Sequence, residues 1–420
     1  MYKGSGGLLG SSTHSPVNLS SPLPVFCLLA TISIVLISGR STITHHFAHQ
    51  TPDKTTNCKT HVNITPNMDI SLRRLERAEN ELFIHETPST YPRLCRLADG
   101  SILAGFTAFE PDGQRVLTIK RSTDEAATFE LHGEVARSAG DCDNLFLLEL
   151  PASTDSDTSP PTIIAAFRNH DLGEDGTHTY FRITVCQSTD GGQTWTFLSQ
   201  AAEKPAPFGL WEPFLRMADT EDGEVHMYFS QEMDTDDQDT MLVRSTDGGA
   251  TWTATQRVTG EGEALRDGMV GVAAMKSCDE ELEALVLVME TTRLGTFSIE
   301  AVLSFDNAET FGSRQAVYVP KEGRNAGAPQ ITAFADGTVA VVFMTDEDED
   351  EDPTWPSGAT IKAIFGMLTP DGCLSWGEPR VIGERMSSWP GIMHMGDASA
   401  MAVYESTSII KSRLLSIVTE

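Results

Sequence analysis

Positive charge is scarce in this chain. Its 420 residues carry 30 Lys and Arg against 60 Asp and Glu, a formal net charge of −30. That excess argues against nucleic acid or an anionic membrane surface as a partner, and it fits a neutral polymer. Cysteine is sparse and scattered. Cys27 sits in an apolar run, and Cys58, Cys95, Cys142, Cys186, Cys278 and Cys373 show neither a Cys-x-x-Cys pair nor zinc-type His spacing. This excludes a zinc-ribbon or thioredoxin-like reading and leaves disulfide pairing open. Also missing are a Gly-x-Ser-x-Gly elbow, a phosphate-binding glycine loop and His-Glu-x-x-His, with the chemistries they serve.

One apolar run stands out. Residues 25–37 are interrupted only by Thr31 and Ser33, and no charge lies between Lys3 and Arg40. Thirteen residues are few for a helix that spans a bilayer and suit the apolar region of a secretory signal. The long polar segment ahead of it keeps an uncleaved type II anchor as the alternative. Residues 41–69 are rich in Thr, His and Asn without periodicity, which reads as a linker or stalk. Within it, Asn63-Ile64-Thr65 is a glycosylation acceptor followed by Pro66.

What the chain does have is a repeat. Ser188-Thr189-Asp190-Gly191-Gly192-Gln193-Thr194-Trp195 recurs as Ser245-Thr246-Asp247-Gly248-Gly249-Ala250-Thr251-Trp252. Relaxed copies run from Ser122 through Asp124 to Phe129 and from Ser304 through Asp306 to Phe311, and Asp371-Gly372 with Trp376 is a worn fifth. Successive aspartates are 66, 57, 59 and 65 residues apart. An Asp-Gly-Gly turn leading into a strand is a hairpin device, because the carboxylate bonds nearby amides and glycine accepts positive φ. The motif resembles the Asp box of sialidase-like β-propellers, which staples the fold and carries no chemistry.

A second repeat lies out of phase with the first. Asp99-Gly100, Asp222-Gly223 and Asp336-Gly337 each precede a β-rich apolar run, the pattern of a buried strand. Weaker equivalents are 144–150 with 162–167, then 284–289 and 398–404. Six such strands predict six blades, and at about sixty residues each they need roughly 350 residues. The stretch 79–420 supplies 342. The expected fold is all-β: a six-bladed β-propeller with Asp-box hairpins, preceded by a signal peptide or anchor (1–39) and a polar linker (40–78).

Candidate chemistry is limited to carboxylates and aromatics at strand ends. Glu212, in Leu210-Trp211-Glu212-Pro213-Phe214, has the apolar setting that raises a carboxyl pKa and suits a general acid. Glu290 closes the apolar run 284–289. Either alone is as well explained by structure as by catalysis; on adjacent blades they form a pair. The acidic run 346–352 reads as a solvated loop, since it lacks a calcium loop's ligand spacing and glycine turn.

Beyond the Asp boxes, the segments Phe167-Arg168-Asn169-His170-Asp171, Trp211-Glu212-Pro213-Phe214, Arg266-Asp267-Gly268-Met269 and Arg324-Asn325-Ala326-Gly327 resemble glycoside hydrolase family 93, as do Phe343-Met344-Thr345-Asp346 and Trp389-Pro390-Gly391. The resemblance covers the chain from Tyr91 onward, in order. It implies a retaining exo-α-1,5-L-arabinanase that releases arabinobiose without metal or organic cofactor. Glu212 would be the acid/base and Glu290 the nucleophile. A funnel of six converging inner strands would put Arg93, Arg168, Asn169, His170, Asp267 and Asn325 at its mouth near sugar hydroxyls, with Asp346 near the cleft. Trp211, Tyr228 and Trp389 would lie against furanose rings. Turn-satisfying roles are the alternative for Asn169, His170 and Asn325. The partner implied is plant cell-wall arabinan, met by a monomer outside the cell. Membrane contact would arise only through an N-terminal anchor, with the propeller still outside.

Two rivals remain at this stage. A sialidase shares the fold but needs an arginine cluster and a tyrosine nucleophile. Tyr91-Pro92-Arg93-Leu94 and Phe181-Arg182-Ile183-Thr184 are only partial echoes of its Phe-Arg-Ile-Pro motif. A non-catalytic glycan-binding propeller is the other.

Overall fold

A computed structural model describes residues 73–151, 161–220, 223–277, 279–348 and 354–419. The described residues form strands without helices, arranged as six antiparallel sheets of four or five strands. The chain is a six-bladed β-propeller. Blade one runs from Ser89–Arg96 through Ile102–Phe109 and Arg115–Ser122 to Glu130–Ser138. Blades two to five begin at Asp141–Glu149, Leu210–Met217, Asp267–Lys276 and Ala326–Ala333. Their second strands are Ile163–Leu172, Val225–Asp234, Glu283–Thr291 and Val339–Thr345.

Blade six closes the ring. It takes Ser387–Gly396, Ser399–Ser406 and Ile409–Thr419 from one end of the chain and Arg73–Arg77 from the other, with Arg73 paired to Thr419. Arg73–Arg77, which composition alone puts in the linker, is therefore an outer strand of the propeller. It covers the edge of Ile409–Thr419 that would otherwise be open to pairing. The apolar run 25–37, the linker and its glycosylation acceptor lie outside the described residues, as do Cys278 and residues 349–352.

Period-two alternation explains the core. Ile163, Ala165 and Phe167 face the cluster shared with blade one, while Ile164 and Ala166 of the same strand face the cluster shared with blade three. Middle strands are thus apolar on both faces and read as continuous runs. One such cluster fills each of the six gaps between neighbouring blades. Each fully buried Leu, Ile or Phe contributes about 1.5–3 kcal/mol. The run 144–150, expected with 162–167 as an equivalent of the second strands, instead lies mostly in the first strand of blade two, Asp141–Glu149, paired with Ile163–Leu172.

The Asp boxes sit at the turns between third and fourth strands. In the box of blade two, Thr194 donates its amide to Asp190 Oδ1 at 2.9 Å and its hydroxyl to Oδ2 at 2.5 Å. Ser188 Oγ meanwhile receives the Gly192 amide at 2.9 Å. The same bonds recur around Asp124, Asp247 and Asp306. Where glycine is lost, Glu125, Ala126, Asn307 and Ala308 adopt positive φ all the same. Among the described residues, Cys95, Cys142 and Cys186 are free and buried, and Cys373 is in a disulfide.

Candidate active site

The first strands of the six blades pack side by side around the axis. Each is broken by a β-bulge near its start, where the register jumps past the third or fourth residue. The bulged residue is Tyr91, Asn144, Glu212, Met269, Ala328 or Trp389, and all six have φ between 43° and 56°. Left-handed backbone at a residue with a Cβ costs roughly 1–3 kcal/mol. Six equivalent instances around one axis mark a built feature. Proline follows in four of the six, at Pro92, Pro213, Pro329 and Pro390, where the ladder lapses and no N–H is needed.

A second ring stands across from the first. The second-strand residues paired with the position before each bulge are Thr107, Arg168, Ser230, Glu290, Met344 and Glu405. Glu212 therefore belongs to the bulge ring of blade three, and Glu290 to the second ring of blade four. Both side chains reach the axial cavity, as do Tyr91, Met269 and Trp389 of the bulge ring and Arg168 of the second.

Amides released by the bulges reach the preceding blade. Met269 donates its N–H to Ser230 Oγ at 3.1 Å, and Ala328 donates its N–H to Glu290 Oε2 at 2.8 Å. With its lone pair engaged by Met269, the Ser230 hydroxyl has its proton free for Glu212, to which it bonds.

These groups share a cavity of about 280 Å³ at the axis, lined by Tyr91, Arg168, Trp211, Glu212, Glu232, Gln238, Arg266, Met269, Glu290, Trp355 and Trp389. Burial pushes the Glu212 carboxyl up to about 8; Arg168 and the Ser230 hydroxyl pull against this, and the charge of Glu290 adds to it. Burial raises Glu290 less, to about 6, because the Ala328 amide and Arg266 favour its ionised form. Near neutral pH the arrangement thus offers one proton donor and one carboxylate side by side, the equipment of general acid and nucleophilic chemistry.

Both cavity arginines are already paired. Arg168 bonds Asp141 Oδ1 at 3.2 Å and Asp143 Oδ2 at 3.3 Å, and its guanidinium lies over Trp211 at 5.4 Å and Tyr91 at 5.7 Å. Arg266 donates to Glu232 Oε1 at 3.0 Å, Gln238 Oε1 at 2.8 Å and the Thr235 carbonyl at 3.1 Å.

A family model for the BNR repeat-like domain matches residues 91–405, three quarters of the chain. The chain belongs to the BNR repeat-like domain family. A search of curated proteins finds no match. Among solved structures, the fold is similar to a GH93 α-L-arabinofuranosidase of Fusarium graminearum in complex with arabinobiose. That match has 17% identity and a TM-score of 0.58, covering 80% of this chain and 96% of that one. It is also similar to an α-L-arabinanase of Penicillium chrysogenum complexed with arabinobiose, at 19% identity and TM-score 0.57, over 82% and 98%. The NanB sialidase of Streptococcus pneumoniae matches at 10% identity and TM-score 0.50, over 80% and 70%. The sialidase-like propeller predicted from the repeats is the fold observed.

Of the residues singled out from sequence, Arg168, Trp211, Glu212, Glu290 and Trp389 line the cavity. Asn169 is half-buried beside them, paired with Cys142. His170 is buried behind Trp211, its ring accepting the Arg182 amide, and burial lowers its pKa to about 4. Others go elsewhere. Arg93 is buried and donates to the carbonyls of Pro92 and Pro390, tying blade one to blade six. Tyr228 shares a strand face with Ser230 but lies one pleat further from the axis, fully buried between blades three and four. Asp267 is fully buried in a bidentate pair with Arg314, both contacts at 2.8 Å.

Asn325 and Asp346 bond each other. Asp346 and Glu347 are buried, so the start of the acidic run is an anchor and no solvated loop: Glu347 pairs with Lys362 and Tyr318. Tyr91, Glu232, Gln238, Arg266, Met269 and Trp355 line the cavity without having been singled out. The dipeptides Tyr91-Pro92, Glu212-Pro213, Ala328-Pro329 and Trp389-Pro390 were the sequence signal for the bulge ring.

Proposed function

We propose that this chain is a retaining, exo-acting glycoside hydrolase that cleaves linear α-1,5-L-arabinan and releases arabinobiose. The observation that carries the reading is an axial cavity shared by Glu212 and Glu290, whose carboxyls burial raises unequally, Glu212 to about 8 and Glu290 only to about 6. The two arabinose-active neighbours, both bound to arabinobiose, supply the substrate class.

In the reaction, protonated Glu212 gives its proton to the glycosidic oxygen as the bond to the anomeric carbon breaks. The Glu290 carboxylate attacks that carbon from the opposite face and forms a glycosyl ester. The shortened arabinan leaves. Glu212, now ionised, takes a proton from water, whose oxygen displaces Glu290, so two inversions give net retention. One water is consumed, and neither step calls on a metal or organic cofactor.

The sialidase reading has less support at this cavity. A sialate carboxylate needs unengaged arginines, and Arg168 and Arg266 are both already neutralised by carboxylates. The substrate test is reducing-sugar release from debranched arabinan, run beside an aryl sialoside. Arabinan cleavage alone is the expected result; sialoside cleavage would move the chain to the sialidases, and activity on neither would leave a glycan-binding propeller. The proposal extends to export of the propeller as a monomer through residues 1–39. N-terminal sequencing tests it, an intact Met1 in a membrane fraction meaning an anchor.

A further inference from the structure

Trp355 lines the cavity from residues 354–359, which lead into the third strand of blade five, Thr360–Leu368. Its indole lies against Gly327: a Cβ built there would meet Trp355 Cζ2 at 3.0 Å and Glu290 Oε2 at 2.5 Å. The indole and the Glu290 carboxylate thus flank the same backbone atom, and only glycine lets them do so.

The ring is held from behind. It stacks on Phe297 with centroids 6.4 Å apart and planes 29° apart. Phe297 is fixed by its amide, which donates to Asn325 Oδ1 at 3.2 Å, and by its carbonyl, which accepts from the Ala326 amide at 2.9 Å. Asn325 in turn donates its amide to Asp346 Oδ1 at 2.6 Å. The third strand is tied to the end of the second by Lys362, which pairs with Glu347 and lies 3.0 Å from Asp348, and by Thr360, which donates to Asp348 at 2.8 Å. Glu347 and Asp348 therefore fasten the strand that follows half-buried Trp355, which faces the cavity, while Asp346 anchors Asn325.

In-line displacement assigns the side. A nucleophile and a leaving group occupy opposite faces of the anomeric carbon, so a ring beside the nucleophile faces the departing product's own sugars, and Trp211, next to the acid, faces the leaving chain. We infer that Trp355 is the glycone-side platform and specificity-determining residue of this site, holding the sugars that Glu290 takes up. The inference rests on the proposed arabinanase reading and goes beyond it by dividing the cavity's aromatics.

Arabinobiose, as the released product, occupies the glycone side alone and is the probe. Its affinity is measured by calorimetric titration for the parent, Trp355→Phe, Trp355→Ala and Trp211→Ala, alongside KM and kcat on 4-nitrophenyl α-L-arabinobioside. A lost ring contact should weaken arabinobiose about tenfold in Trp355→Ala and raise KM more than it lowers kcat. Trp355→Phe should restore most of the affinity, and Trp211→Ala should leave it within about twofold. A parent that binds arabinobiose while Trp355→Ala binds it equally well overturns this inference and leaves the arabinanase reading intact. A parent that binds none overturns both.

Discussion

The backbone amide of Ala328 donates to Glu290 Oε2 at 2.8 Å, from the next blade and from a residue whose φ of 50° is set by the bulge. The bulge that bends the first strand of blade five is thus the source of the donor that limits how far burial raises the Glu290 carboxyl. Glu212 sits at the equivalent bulge two blades back, with φ of 43°, and lines the same cavity. The bulges thus place Glu212 and supply Glu290 with its donor.

A bell-shaped pH profile follows. Glu290 must be ionised and Glu212 protonated, so kcat/KM should rise through about pH 6 and fall through about pH 8. Replacing Arg266 with Met removes a charge that favours ionised Glu290, and should move the rising limb to higher pH. A parent profile flat from pH 5 to 9 would contradict the assignment.

Stability should run the other way with pH. Both carboxyls have folded-state pKa values raised above the ordinary glutamate value of 4.5. Between that value and about 8 the folded chain holds more protons than the unfolded one, so these groups cost stability as pH rises. Glu212→Gln should raise the thermal midpoint at pH 8 and change it little at pH 4. An equal shift at both would mean that titration of Glu212 is not its cause.

Asp267 is expected to matter for folding. Its buried bidentate pair with Arg314 also joins Glu300 and Arg293. Asp267→Asn leaves the guanidinium short of a partner and should cost about 3 kcal/mol in urea unfolding. The folded fraction should turn over within about twofold of the parent, a ratio within the scatter for a side chain that touches no reacting group. A large kcat loss at unchanged stability would return Asp267 to the site.

Gly327→Ala should do the reverse. The added methyl has no room between Glu290 and Trp355, and a displacement of the reacting carboxylate near 1 Å costs roughly 10²-fold in rate. The expected outcome is a collapse of kcat with a modest drop in thermal midpoint.

Much of this fold was legible because it rests on local chemistry repeated at a fixed period. Asp190 and Asp247 each close a turn within eight residues, and Ile163 to Phe167 alternate between two cores, so neither needs knowledge of distant contacts. Glu212 was legible for the same reason, flanked in sequence by Trp211 and Pro213. Tyr228, Asp267, Asn325 and Asp346 were not. Their placement depends on how far along a strand the axis lies and on partners 21 to 47 residues away, such as Arg314 for Asp267. Trp355 was hidden because its approach to Glu290 is created by the ring of blades.

Azide separates the two glutamates. Glu212→Ala should lose roughly 10²–10⁴ on arabinan and much less on an aryl arabinobioside whose leaving group needs no proton. Azide should then restore turnover with retained configuration. Glu290→Ala should fail on both substrates, with any azide product inverted. Swapped azide products would exchange the two roles.

The central claim is that Glu212 and Glu290 together cleave arabinan by double displacement. Proton NMR of the first product formed from linear α-1,5-arabinan tests it most directly, recorded before mutarotation. The expected spectrum is arabinobiose appearing first as the α-anomer, the configuration of the bond cleaved. First appearance of the β-anomer, or a spread of oligomers with no dominant disaccharide, would contradict it.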